Sequence, residues 1–76
     1  MTTLDQLLPG RRGLILGVDG ADAVGQRLME LGLIEGFRVE VVRLAPLGDP
    51  MELRLAGAHL SVRKAEAARV RVEPCA

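Results

Sequence analysis

The side chains that could catalyse a reaction or hold a metal are few in this chain. His59 is the only histidine and Cys75 the only cysteine. The sequence therefore shows no Cys-His or Ser-His nucleophile motif, and its histidine and cysteine cannot by themselves supply the four ligands of a zinc site. The carboxylates are scattered over alternating strand faces, which does not suit a metal centre. Glycines five residues apart are not followed by Lys-Ser or Lys-Thr, so no phosphate-binding P-loop is present. The sequence therefore predicts a protein that is not an enzyme, with no cofactor and no tight metal site in one copy.

Charge and aromatic content argue against nucleic acid as a partner. Ten Lys and Arg residues balance ten Asp and Glu residues, so net charge draws the protein neither to phosphate backbones nor to anionic membranes. Phe37 is the only aromatic residue, whereas proteins that bind single strands stack bases on several aromatic rings. The adjacent Arg11 and Arg12 could contact a phosphate, but such a pair is more typical of a solvated strand edge.

Targeting segments are not recognisable in this sequence. No apolar run approaches the ~20 residues of a membrane span, and the first residues do not form the apolar part of a signal peptide. One cysteine allows no intramolecular disulfide, which is typical of a reducing compartment. We therefore expect a cytoplasmic protein whose residues 1–76 form a single domain with one small core.

A helix is the element that must position the rest. Val24, Leu28 and Leu31 stand at i, i+4 and i+7, which predicts one apolar helical face that packs on the core. Asp22 can accept hydrogen bonds from the free amides of the first turn, so the helix is expected from about Ala23 to Leu31.

Glycines mark how this helix ends and what lies near it. Gly32 stands where a helix needs a left-handed residue, and Leu33 can fold back as the hydrophobic half of that cap. A positive φ or a close backbone contact is expected at both Gly32 and Gly36. Gly25 costs ~1 kcal/mol inside a helix relative to alanine, which indicates a close approach to another backbone.

Short strands make up most of the remaining chain. Five are predicted, at 13–18, 37–44, 51–55, 59–62 and 70–72, and Val42 interrupts the alternation of its strand as a bulge would. Such strands avoid open edges by curling into a barrel, with the helix closing one end. The fold class is therefore mainly β, with an inward set that comprises Ile15, Phe37, Val39, Val41, Leu53, Leu55, Leu60, Val62, Val70 and Val72.

Three motifs in this order resemble the FeoA family, the small cytoplasmic component of bacterial ferrous iron transport. They are Arg27-Leu28 with Leu31-Gly32-Leu33 and Gly36, then Ala45-Pro46-Leu47-Gly48-Asp49-Pro50, then Leu60, Val62-Arg63 and Glu66-Ala67. The resemblance runs from Leu4 to Val72. It implies an SH3-like barrel, a bacterial cytosol, and a partner in FeoB, the membrane transporter that carries a GTP-binding domain. It supplies no catalytic residue.

Several apolar residues in or beside turns do not belong to the apolar face predicted for the helix. They are Met29, Leu33, Ile34 and Leu47, more than turns usually expose to water. The leading hypothesis is that they dock on the transporter, so that the protein regulates or scaffolds ferrous iron transport. Alternatively, the same residues could simply cover one end of the barrel.

Two other functions stay open. SH3-like modules of this type also resemble the C-terminal part of iron-dependent repressors, which suggests a regulatory or metal-sensing domain. The sequence argues against DNA binding, because it has no second and third helix for a helix-turn-helix and no basic stripe. A direct Fe(II) binder would need carboxylates or His59 shared between two copies, and hence a homo-oligomer.

Overall fold

Alternating apolar residues and tight turns fold residues 2–75, the part that the computed structural model describes, into one antiparallel sheet with two helices. In chain order the elements are β1 (Thr2–Thr3), β2 (Arg12–Val18), α1 (Ala23–Glu30), β3 (Arg38–Leu44), β4 (Met51–Leu55), β5 (Ala58–Val62), α2 (Lys64–Ala67) and β6 (Val70–Pro74). A single 3-10 turn, Leu4–Gln6, follows β1. The strand order is β1-β6-β2-β3-β4-β5.

Two bulges help the sheet to curl around its core. The register of β2 on β6 shifts between Ile15 and Gly17, and that of β3 on β4 shifts between Val41 and Arg43. The second shift lies at Val42, where the sequence predicted a bulge. The molecule measures 29 × 27 × 25 Å, whereas a flat sheet forms a layer only about 10 Å thick. The mainly β fold is confirmed, and the short β1 is added to the five predicted strands.

The core contains no aromatic side chain in the described residues. Its buried members are Leu4, Leu7, Ile15, Leu28, Leu33, Val39, Val41, Met51, Leu53, Leu55, Val62, Ala67, Val70 and Val72. Most of the predicted inward set is present, although Leu60 is only partly buried. The prediction for Phe37 is wrong, because this residue lies before β3 and its N–H donates to the Ile34 carbonyl, which leaves the ring exposed.

The end of α1 decides which leucine enters the core. Gly32 has a φ of +107°, its N–H donates to the Met29 carbonyl at 3.0 Å, and the Leu33 N–H donates to the Leu28 carbonyl at 3.2 Å. This pair of bonds defines a Schellman cap, which turns the chain back and buries Leu33. The core position predicted for Leu31 is therefore wrong, because the helix ends at Glu30 and Leu31 remains partly exposed.

The start of α1 is held by charge and by close backbone packing. The Asp22 carboxylate caps the helix by accepting the Gly25 N–H at 3.0 Å, and Arg69 donates to it at 2.6 Å. The Arg69 guanidinium and then the Gly25 N–H hold the pKa of Asp22 below its ordinary value. A Cβ on Gly25 would stand 2.2 Å from the Gly20 carbonyl oxygen, which confirms the close approach predicted there.

Candidate docking surface

Leu47 lies in the turn between β3 and β4, and 96% of it is exposed. Hydrogen bonds within the turn hold it in place. The Ala45 N–H donates to the Pro50 carbonyl at 3.0 Å, and the Gly48 N–H donates to the Ala45 carbonyl at 2.7 Å. The turn thus presents an aliphatic side chain to solvent from a fixed backbone, which reduces the conformational entropy lost on binding.

Helix α2 connects this turn to α1. The Asp49 carboxylate accepts the backbone N–H of Lys64, the first residue of α2, at 2.9 Å. Glu66, also on α2, accepts a hydrogen bond from the Arg27 guanidinium on α1 and another from the Arg63 N–H at 3.0 Å. Side chains on the turn and on both helices therefore hold these three elements together.

A second exposed apolar region lies where α1 ends and the chain turns towards β3. Its residues, which we call the helix-end surface, are 39–46% exposed and comprise Met29, Leu31, Ile34 and Phe37. The Schellman cap and the hydrogen bond from the Phe37 N–H to the Ile34 carbonyl fix the backbone of this region. The exposed apolar side chains of this surface are therefore attached to a backbone whose conformation is fixed by hydrogen bonds.

The four residues predicted to dock fall in two different environments. Met29, Ile34 and Leu47 are exposed, as docking requires, whereas Leu33 is buried and its assignment to a docking surface is wrong. The backbone reversal at Gly32 accounts for that error, because it sends Leu33 inwards. Leu31 and Phe37 were assigned to the core by their spacing and lie on the surface instead, so the sequence did not mark them as exposed.

An open cleft of about 360 Å³ lies elsewhere, beside the residues that precede β2 and follow β6. Leu8, Arg11, Arg12 and Cys75 are among the residues that line it, and it includes none of the predicted docking residues. Both arginines are exposed, and neither forms an ion pair with an acidic side chain of residues 2–75.

Metal ligands are dispersed in the part of the chain that the structure describes. No three His, Cys, Asp or Glu side chains of residues 2–75 are placed to hold an ion together. His59, on β5, has its Nε2 atom 3.4 Å from Nε of Arg54 on the neighbouring β4. None of the helices between residues 2 and 75 has the length and apolar character of a membrane span.

Solved structures of similar sequence share this fold over nearly the whole chain. The FeoA protein of Chlorobium tepidum is 40% identical with a TM-score of 0.90, and the match covers 99% of this chain and 71% of that one. FeoA of Stenotrophomonas maltophilia, solved with zinc and described as an SH3 domain protein, is 30% identical with a TM-score of 0.85. That match covers 96% of this chain and 91% of the other. The predicted SH3-like fold is therefore confirmed.

A manganese-dependent transcriptional repressor also contains this fold. The match has a TM-score of 0.86 and covers 96% of this chain and 40% of the repressor. Sequence identity is 15%, so this likeness shows a common fold and nothing about function.

Sequence comparison leads to a single family. A fusion of Fe(2+) transport protein A with the Fe(2+) transporter FeoB in Porphyromonas gingivalis is 34% identical over 70 residues, which are 92% of this chain. The chain spans only 8% of the length of that fusion. The profile of the FeoA domain matches residues 2–74. This chain belongs to the FeoA domain family.

Proposed function

We propose that this protein is a non-catalytic cytoplasmic module of bacterial ferrous iron transport that docks on a FeoB-type membrane transporter and regulates it. The fusion in P. gingivalis supports this choice of partner, because there a similar domain and FeoB are parts of one polypeptide. Two proteins that work at the same place gain from such a connection, since a short tether raises their effective concentration.

The observation that carries the proposal is the exposure of Leu47. Moving a leucine side chain from water to an apolar environment contributes about 1.5–3 kcal/mol. Binding energy in protein interfaces is concentrated in a few such desolvated anchors. Because hydrogen bonds within the turn already fix its backbone, most of that gain is available to binding.

The helix-end surface supplies a second contact in this proposal. Its exposed side chains are two aliphatic residues, one methionine and one phenylalanine. Methionine adapts to irregular partner surfaces. The Arg27–Glu66 ion pair and the Asp49 cap of α2 join the two regions through α2. A partner that covered α2 could therefore contact both of them.

The test is the substitution Leu47→Asp, with Leu8→Asp as the matched control. Leu8 is also strongly exposed, at 68%, but lies beside the cleft. Both variants should retain the circular dichroism spectrum of the parent, since neither residue packs in the core. Affinity for the purified cytoplasmic GTP-binding domain of the transporter should fall at least about tenfold for Leu47→Asp, which is about 1.4 kcal/mol. The Leu8→Asp variant should bind as the parent does.

Iron uptake gives an independent measurement in cells. A strain that carries Leu47→Asp should accumulate less ferrous iron than one that carries Leu8→Asp at equal protein levels. Unchanged affinity and uptake in a folded Leu47→Asp variant would refute docking through this turn. The repressor likeness supports only the fold, so we propose no metal-sensing role.

A further inference from the structure

The turn that carries Leu47 has a cationic border. A Cβ placed on Gly48 would lie 3.9 Å from Nζ of Lys64, so this ammonium group lies beside the turn. Arg63, the residue before it in the chain, is also exposed. Neither cation forms an ion pair with an acidic side chain within residues 2–75. An apolar side chain and two cations are thus presented from adjoining elements.

The two acidic side chains near this turn, Asp49 and Glu66, already accept other hydrogen bonds. Asp49 accepts the backbone N–H of Lys64, and Glu66 accepts the side chain of Arg27 together with the Arg63 N–H. Their carboxylates stabilise the start of α2, whereas the side-chain charges of Lys64 and Arg63 have no acidic partner within residues 2–75. A partner that buried the turn would therefore have to supply negative charge or leave two cations poorly solvated.

We propose that the surface which receives Leu47 is an apolar recess bordered by Asp or Glu carboxylates, and that these pair with Lys64 and Arg63. The inference rests on the proposed docking on the transporter and specifies the chemistry of its partner site. Carboxylates suit both cations, since a guanidinium can bind a carboxylate through two parallel hydrogen bonds. An apolar recess beside them accommodates Leu47.

Other anionic surfaces match this arrangement less well. A nucleic acid offers phosphates without an aliphatic recess, and this chain has net charge zero and one aromatic ring. An anionic membrane would gain about 1 kcal/mol for each cation and about 1.5–3 kcal/mol from one leucine, which together give only weak binding. A folded partner can match the apolar group and both charges at once.

Charge complementarity of this kind acts mainly on the rate of association. Opposite charges at the border of an interface accelerate encounter at low salt, and ions screen them at higher salt. The parent protein should therefore associate faster with the transporter domain at low ionic strength. Packing of Leu47 should instead govern how slowly the complex dissociates.

The experiment uses the double substitution Arg63→Asp/Lys64→Glu in the full chain. Acidic residues are favourable at a helix N-cap and in the first helical turn, so the variant should fold as the parent does. The matched control is Arg11→Asp/Arg12→Glu, which changes net charge equally at two other exposed cations without ion pairs in residues 2–75. Circular dichroism and thermal unfolding should verify the fold of each variant.

Binding of each variant to the cytoplasmic transporter domain is followed by stopped-flow or surface plasmon resonance over a range of NaCl concentrations. The Arg63→Asp/Lys64→Glu variant should associate at least about tenfold more slowly at low salt. Its association should become faster as salt is added, because like charges then face each other and ions screen their repulsion. The control should change the association rate less than about twofold. Equal losses in both variants would mean a general charge effect and would overturn the inference.

Comparison with Leu47→Asp separates this inference from the proposed function. If Leu47→Asp weakens binding while the charge reversal does not, docking stands and the acidic border is refuted. If the parent protein does not bind the domain, both fail together. Vesicles of phosphatidylglycerol and phosphatidylethanolamine provide the last arm, because charge-dependent binding to them without binding to the domain would assign the cations to a membrane surface.

Discussion

Replacing Gly32 by alanine should destabilise the protein more than the same replacement at Gly36, the next glycine along the chain. Gly32 has a φ of +107°, in a region that L-residues rarely adopt. A Cβ at this position would also stand 2.8 Å from Cδ2 of Leu55, a buried residue of β4. The substitution therefore meets a backbone penalty and a packing penalty together.

The two penalties can be placed on an energy scale. A left-handed conformation costs an L-residue about 1–2 kcal/mol, and alanine recovers about 0.4–1 kcal/mol because it restricts the unfolded chain. Displacing Leu55 in a packed core adds about 1–3 kcal/mol. We expect a net loss of about 2–3 kcal/mol in the free energy of unfolding, which lowers Tm by roughly 10–20 °C in a domain of this size.

Gly36→Ala is the control that separates the two penalties. Gly36 has a φ of +93°, but a Cβ there would meet no atom within 4 Å. This variant should lose only about 1 kcal/mol and roughly 5 °C in Tm. Urea and thermal unfolding followed by circular dichroism measure both. Equal losses at the two positions would refute the contact with Leu55, and no loss at either would refute the glycine-capped end of α1.

Two other predictions follow from the core and from the metal ligands. Leu28→Ala truncates a buried residue of α1 and should lower the free energy of unfolding by about 2–5 kcal/mol, a large part of the stability of so small a domain. A loss smaller than about 1 kcal/mol, measured by urea unfolding, would contradict the packing described for α1. One copy should form no tight one-to-one complex with Fe(II) or Zn(II), because a single histidine and a single cysteine cannot complete a tetrahedral or facial set of ligands. An anaerobic titration against a competing chelator measures this, and a sub-micromolar complex that His59→Ala abolishes would disprove it.

The sheet and the helix could be predicted because local patterns mark them clearly. Alternation of apolar and charged residues identifies β3 and β4, and its interruption at Val42 marks the bulge where the register shifts. Asp22 and Gly32 mark the two ends of α1, and the structure shows a side-chain cap at one and a positive φ at the other. In each case a short-range physical requirement selects the residue type.

The candidate surface could be predicted only in part, because it depends on directions that periodicity does not determine. Helical spacing placed Leu31 in the core, but the chain leaves the helix after Glu30 and the cap buries Leu33 in its place. The burial of Leu4 and Leu7 likewise depends on how a single 3-10 turn packs against the sheet, and the N-terminal sequence fits a short helical turn or an extended arm equally well. Leu47 could be identified because prolines and glycine around it indicate a turn wherever the strands lie.

The exposure of the helix-end surface is itself a consequence of how the core is filled. The cap at Gly32 reverses the chain so that Leu33 is buried in the core, while Leu31 before the cap and Ile34 after it are exposed. A sequence under selection for stability alone could place polar residues at these outward positions at little cost, because neither packs in the core. That they are leucine and isoleucine, flanked by Met29 and Phe37, is the arrangement expected of a surface that a partner covers. The helix cap thus connects the stability of the domain with the display of its proposed contact residues.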